Sequence, residues 1–277
     1  MSESLPLLLE PTDLAARVDQ QDLRIVDLCD TEVHQAGHIP GALPLPFSAL
    51  LRKEPPAMGL LPDAADLSQA LGAIGLRPEH HVVAYDNTGG GRASRLLWTL
   101  DVIGHGGGYS LLNGGLAAWR AAGLPLERGN TEQSAAAPYP AQIPAAPAAR
   151  ADRAMILQRL DDPGLRILDA RSRAEFLGED VRAARGGHIP GARHLEWTAF
   201  LDPDNHGRLK DTETLRRMLE QRDLRPEHTV VTHCQTHHRS ALSWFVLHLL
   251  GYPDARGYDG SWSDWGNRPD TPVDHGE

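Results

Sequence analysis

The chain has 277 residues, 41% hydrophobic and 23% charged, and its 27 Lys+Arg against 37 Asp+Glu give a formal net charge of -10. That length supports a sizeable core and one or two domains. The acidic balance argues against coating nucleic acid, and no run approaches the roughly 18 apolar residues of a membrane span. Met1-Ser2-Glu3-Ser4 lacks the basic-then-apolar pattern of a secretion signal, and the two cysteines, Cys29 and Cys234, make no disulfide scaffold. A cytoplasmic, reducing setting is expected, one that keeps a reactive thiol usable.

In chain order, Pro11 to Val18 reads as a short helix and Leu23 to Leu28 as a strand, followed by the Pro- and Gly-punctuated turn Gly37-His38-Ile39-Pro40-Gly41-Ala42. Pro62 to Leu71 suggests a helix with Asp63 near its start. His81 to Tyr85 is a strand ended by Asp86 and a glycine-rich loop, and Arg92 to Val102 has an amphipathic helix pattern. Leu111 to Trp119 closes the unit.

The same order then recurs. Leu165 to Asp169 matches the first strand. Gly187-His188-Ile189-Pro190-Gly191-Ala192 repeats the first turn letter for letter 150 positions on, and Leu224-Arg225-Pro226-Glu227-His228 repeats Leu76 to His80 148 positions on. Two verbatim matches at nearly one offset mark a duplication. The domains are expected at 1–130 and 151–277, joined by a connector at 131–150 that holds eight alanines and four prolines. Alternating β-rich and helical runs predict α/β domains, each a mainly parallel sheet with helices on both faces.

Chemistry concentrates in the second copy. Val230-Val231-Thr232-His233 ends in Cys234, and Gln235-Thr236-His237-His238 leads to Arg239-Ser240 and an apolar helix pattern. A thiol at a strand–helix junction faces unpaired N–H groups, a helix dipole and a guanidinium, all of which favour thiolate. At the 148 offset Cys234 aligns with Asp86, so the first copy keeps the scaffold without the thiol. Because an unpaired carboxylate is costly to bury, both positions are expected to face solvent at a loop end. A Cys-x4-Arg loop makes a nest for negative charge. It is one residue shorter than the Cys-x5-Arg loop that wraps a phosphoryl group, which favours a persulfide over a phosphatase while leaving the phosphatase open. His233, His237 and His238 beside Cys234 are too close in sequence to converge readily on one metal ion.

These residues resemble the tandem-domain rhodaneses, the thiosulfate and 3-mercaptopyruvate sulfurtransferases, and most of all a bacterial thiosulfate sulfurtransferase. The resemblance rests on Asp169-Ala170-Arg171, both Gly-His-Ile-Pro-Gly-Ala turns, the loop from Cys234 to Arg239, and Gly260-Ser261-Trp262 with Trp265. It covers almost the whole chain and implies two rhodanese-like domains, the second catalytic. It also implies ping-pong sulfur transfer through a Cys234 persulfide, with no metal or organic cofactor.

The partners implied are a small anionic donor such as thiosulfate and an acceptor that is cyanide, a cellular thiol or a protein, with no nucleic acid or membrane. The chain is expected to be a monomer. Arg185, just before the second turn, matches the family arginine that holds the donor. Arg239 closes the loop or faces substrate, and Gln235, Thr236, His237 and His238 are expected to bind substrate, with Trp197 as a pocket wall. Asp169, Arg171, His38 and His188 are expected to fix strand ends and turns. The loop sequence matches neither the Cys-Arg-Lys-Gly of thiosulfate-preferring members nor the Cys-Gly-x-Gly of mercaptopyruvate-preferring ones, so it does not name the donor. Protonation of His237 and His238 would make donor binding sensitive to mildly acidic pH.

Overall fold

The computed structural model describes residues 5–131, 137–144 and 148–276. It divides into two compact units that cut across the repeat. The first holds Met1–Leu50, Pro62–Ala145 and Leu201–Leu209, and the second holds Leu51–Leu61, Ala146–Phe200 and Lys210–Glu277. Each copy thus contributes a short antiparallel hairpin to the unit of the other: Arg52–Glu54 with Ala57–Leu60, and Leu201–Asp202 with Arg208–Leu209. Neither hairpin is expected from the sequence, because strands of two to four residues are too short to show alternation.

In the first unit a five-stranded parallel sheet runs, edge to edge, Leu8–Leu9, Tyr109–Leu112, His81–Tyr85, Leu23–Asp27 and Leu43–Pro44. The second unit repeats this with Arg150–Ala151, Ala255–Tyr258, Thr229–His233, Leu165–Asp169 and Arg193–His194. The central strands are apolar and buried on both faces, as expected of a parallel sheet covered by helices. Trp119, Tyr85 and Leu116 anchor one core; Trp262, Trp265, Tyr258 and Phe176 anchor the other.

Helix ends follow local chemistry. The helix expected from Pro62 runs Ala64–Ala73, because Asp63 is its N-cap and accepts from the Asp66 N–H. The one expected to reach Val18 stops at Ala15. Of the 131–150 connector, residues 132–136 and 145–147 lie outside the described residues; Tyr139 between them is buried, its hydroxyl 2.9 Å from His105 Nδ1. No helix among the described residues is long and apolar enough to cross a membrane.

The duplication preserves packing and changes charge. Beneath the Gly-His-Ile-Pro-Gly turn, Phe176 stacks on His188 at 3.7 Å between ring centroids, and His34 stacks on His38 at 3.8 Å. Buried Asp169 is gripped by Arg171, whereas Asp27 has Cys29 at the corresponding place and is satisfied by His34 Nδ1 at 2.8 Å, the Tyr85 hydroxyl at 2.6 Å and the Cys29 N–H at 2.8 Å.

Asp86 corrects the expectation of a solvent-facing loop end, for it is buried. Its carboxyl oxygens accept from the backbone N–H groups of Thr88, Gly90, Arg92 and Ala93 at 2.7–2.9 Å. Loop donors replace water, which removes the desolvation penalty behind that expectation. Asp86→Ala, which strands these donors, is expected to destabilise the protein by roughly 2–5 kcal/mol, read as a lower urea midpoint.

Candidate active site

The strand Thr229–His233 is buried throughout and carries the chain to the carboxyl end of its sheet, where ligands of open α/β sheets bind. Its β-branched run Thr229-Val230-Val231-Thr232 suits a central strand. The chain then turns through Cys234 to His238 and enters the helix Arg239–Leu249. His237 makes the reversal, with φ at 54°, and its fully buried ring puts Nδ1 2.8 Å from Ser240 Oγ. Thr236 Oγ1 lies 3.1 Å from His238 Nδ1, and Gln235 Nε2 donates to the Arg182 carbonyl at 3.0 Å. Gln235 Oε1 is buried and receives no hydrogen bond among the described residues.

Cys234 sits in the hollow of this loop with no exposed surface, so the solvent-facing expectation is corrected here too. Burial alone pushes its thiol pKa up. The Arg239 charge, the Ser240 hydroxyl and the N–H groups of Ser240 and Thr236 outweigh burial, and the pKa falls below the ordinary cysteine value. The other cysteine is the opposite case: burial and the neighbouring Asp27 push the Cys29 thiol well up. Both thiols are free. The two thiols are thus shifted in opposite directions.

The guanidinium that favours the thiolate is itself fixed. Ser172 and Glu175 form a capping box on the helix Arg173–Leu177, which immobilises Glu175. Glu175 then receives the Arg239 fork, Nη1 to Oε2 at 2.7 Å and Nη2 to Oε1 at 2.9 Å. Burial opposes ionisation of Glu175, but Arg239 and the Ser172 N–H hold its carboxyl down at about 2. Glu175 was not singled out in the sequence; the Ser172-x-x-Glu175 spacing is the signal that would have found the cap, but not the hold on Arg239.

Gly260-Ser261-Trp262 buttresses the loop from behind. The Cys234 N–H donates to Ser261 Oγ at 3.3 Å, the Trp262 N–H to the Cys234 carbonyl at 2.9 Å, and the Ser263 N–H to the Gln235 carbonyl at 3.0 Å. One layer down, Arg171 chelates Asp169, donates to the Gly187 carbonyl at 2.7 Å and lies over the Trp262 ring at 4.3 Å. His233, also fully buried, has its pKa pushed down to about 4 by desolvation, with Nε2 3.4 Å from Asp169 Oδ2. His188 Nδ1 bonds the Phe176 carbonyl, as His38 Nδ1 bonds that of His34.

Arg185 is engaged elsewhere. Its guanidinium donates to the carbonyls of Thr271 at 2.7 Å, Trp265 at 3.1 Å and Arg268, and to Thr271 Oγ1 at 2.5 Å. Its own carbonyl accepts from Trp262 Nε1 at 3.2 Å, which links it to the buttress behind Cys234. Trp197 is half-buried at the start of a short 3-10 helix, and its N–H bonds the Ala170 carbonyl at 3.2 Å. Cys234, Gln235, Thr236, His237, His238 and Arg239 are thus brought together in one loop, while the Arg185 and Trp197 contacts lie with the segments around it. No group of three or more His, Cys, Asp or Glu among the described residues could hold a metal ion.

Comparison with known proteins gives a match to the rhodanese-like domain over residues 10–122 and again over 152–268. The chain is 46% identical over 271 residues to a thiosulfate sulfurtransferase of Azotobacter vinelandii, covering 98% of each chain. It is 44% identical to a thiosulfate sulfurtransferase of Pseudomonas aeruginosa, covering 98% of this chain and 97% of that one. A 3-mercaptopyruvate sulfurtransferase of Escherichia coli K12 is 31% identical, with 94% and 95% covered. Among solved structures, that of YnjE superposes with a TM-score of 0.87 at 24% identity, over 98% of this chain and 68% of that one, and shares the fold.

The Glu175–Arg239 pair makes a prediction for acid stability. Because folding lowers the Glu175 carboxyl from about 4.5 to about 2, its contribution is complete above pH 4.5 and is lost as pH falls toward 2. Glu175→Gln is therefore expected to cost roughly 3–5 kcal/mol at neutral pH, and the gap from the unaltered protein should close across that acidic window in urea unfolding.

Proposed function

The chain belongs to the rhodanese-like family and is a sulfurtransferase, and on that premise we propose that it moves sulfane sulfur from thiosulfate to a thiophilic acceptor through a persulfide on Cys234. The observation that carries this reading is the loop from Cys234 to Arg239, in which a buried sulfur meets N–H donors, a hydroxyl and a fixed guanidinium. That set of donors favours a thiolate, and it would favour the negative charge of a persulfide equally.

In the first half-reaction the Cys234 thiolate attacks the outer sulfur of thiosulfate. A sulfur–sulfur bond forms, the one to the sulfonate sulfur breaks, and sulfite leaves with the bonding pair. In the second, cyanide or a thiolate attacks the outer sulfur of the persulfide, and the Cys234 thiolate leaves. Neither half-reaction needs a metal or an organic cofactor. Arg239 supplies fixed positive charge beside the sulfur, and His237 shapes the loop through Ser240. Gln235, Thr236 and His238 form the face that meets the donor, with Trp197 as a wall; Arg185 serves as the donor-anion residue only by giving up bonds to Thr271, Trp265 and Arg268. The second domain, 151–277, is the catalytic one, and the first is non-catalytic because its nest already holds Asp86. The enzyme acts as a cytoplasmic monomer. Since Cys234 has no exposed surface, the donor reaches it only after a local opening of the structure around it.

Thiosulfate is the preferred donor because the more similar of the compared relatives, at 46% and 44% identity, are thiosulfate sulfurtransferases. The 3-mercaptopyruvate relative at 31% identity supplies the second reading. A protein acceptor in place of cyanide or a small thiol uses the same persulfide.

Intact-mass measurement after incubation with thiosulfate should show a gain of one sulfur atom that is removed by cyanide. The gain should disappear in Cys234→Ser and persist in Cys29→Ser; sulfur found on Cys29 would overturn the assignment. Turnover with thiosulfate and cyanide should exceed turnover with 3-mercaptopyruvate and cyanide in kcat/KM, and the reverse ranking selects the second reading. Cys234→Ser is expected to lose at least about 1000-fold in either assay, because the hydroxyl is not ionised at neutral pH.

A further inference from the structure

The hairpin Arg52–Glu54/Ala57–Leu60 lies in the first copy by sequence and in the second unit by structure. Its second strand meets the reactive loop backbone to backbone. A Cβ built on Gly59 would overlap the Thr236 carbonyl oxygen and lie 2.7 Å from Thr236 Cβ and 2.8 Å from its carbonyl carbon. Gly59 is not in the left-handed region, so this glycine is required for space and not for its backbone conformation.

The strand is pinned on both sides of that contact. The Met58 N–H donates to Ser263 Oγ at 3.1 Å, and Ser263 in turn gives its own N–H to the Gln235 carbonyl at 3.0 Å and its hydroxyl to the Gly260 carbonyl at 2.9 Å. The Leu61 N–H donates to Asp259 Oδ2 at 2.7 Å, and Arg150 Nη2 holds the same oxygen at 3.0 Å. A strand fixed at Met58 and Leu61 cannot withdraw to make room for a side chain at 59. Thr236 has to move instead.

We propose that Gly59 is a positioning residue for sulfur transfer: the strand it belongs to is the backstop against the Thr236 carbonyl and Cβ, and by fixing Thr236 about its Cα it sets the direction in which the Thr236 N–H points at the Cys234 sulfur. The inference rests on the reading of Cys234 as the nucleophile. It assigns a function at the reactive thiol to a segment more than 170 positions earlier in the chain. Thr236 is one of the backbone donors that favour the thiolate, so displacing its peptide by even a few tenths of an ångström weakens a bond to an ionised group.

The test is peptide-resolved iodoacetamide alkylation of Cys234 in the full-length protein from roughly pH 5 to pH 10, with a thermal melt alongside. In Gly59→Ala the alkylation midpoint should rise by about one pH unit, the scale of one hydrogen bond to a charged group. A lowered melting temperature with an unmoved midpoint would mean that Gly59 only packs, and would overturn the proposal. Should Gly59→Ala fail to fold, Ser263→Ala decides the matter. It removes the acceptor that pins Met58 and should raise the midpoint in the same direction; an unmoved midpoint there overturns the proposal. Because the readout is the acidity of the thiol, this result is separate from whether thiosulfate loads sulfur onto Cys234.

Discussion

Both halves of the chain depend on the same constraint: a negative group at the carboxyl end of a central strand has to be held without water. The loop that follows the strand meets it by turning backbone N–H groups inward, which produces a concavity that favours anions whatever their chemical identity. In the first half the anion-binding position is filled by Asp86, whose two oxygens take four backbone donors. In the second half Cys234 occupies it, and the same kind of donor lowers the acidity threshold of a sulfur atom. The first copy therefore shows what such a nest can hold. Its donors are taken up by a side chain of its own, Asp86.

Donors alone are not sufficient at the sulfur, because desolvation is the largest single influence on Cys234 and acts against ionisation. A full charge is needed nearby, and it must not drift. The second half supplies it through a relay of short-range restraints, from the Ser172–Glu175 cap to the Arg239 fork. A bidentate arginine is suited to this because its geometry is fixed by two bonds and its charge persists at any pH of interest. Arg171 does the same for Asp169 one layer below. In the first half no arginine follows Asp27 at that spacing, and the burden passes to His34 and Tyr85, which donate without bringing a permanent charge.

The parts that were legible in the sequence are those encoded locally. The strand His81–Tyr85 and the one that ends before Cys234 were readable from β-branched runs, and the duplication was readable from two verbatim hexa- and pentapeptides. The loop from Cys234 to Arg239 was readable because all of its members are contiguous. Three features were not. The burial of Cys234 and Asp86 was missed because the argument from desolvation counted only water as a donor, whereas the backbone of the loop itself does the work. The role of Glu175 was hidden because it acts across 64 positions. The exchange of hairpins between units left no trace, since strands of two to four residues carry no period and long-range pairing is invisible in a single sequence.

The size of the loop and the burial of the sulfur bear on the same question from two sides. A loop with four residues between Cys234 and Arg239, in which His237 is buried and bonded to Ser240, turns its donors on one buried sulfur. A phosphoryl group brings three equatorial oxygens that each need a partner, more than a single sulfur asks of the loop. Sulfane sulfur needs no such cradle, because the group transferred is a single polarizable atom that extends the cysteine by one bond. The positions at which the loop departs from both familiar patterns are the contiguous residues Gln235 to His238, beside the sulfur rather than behind it.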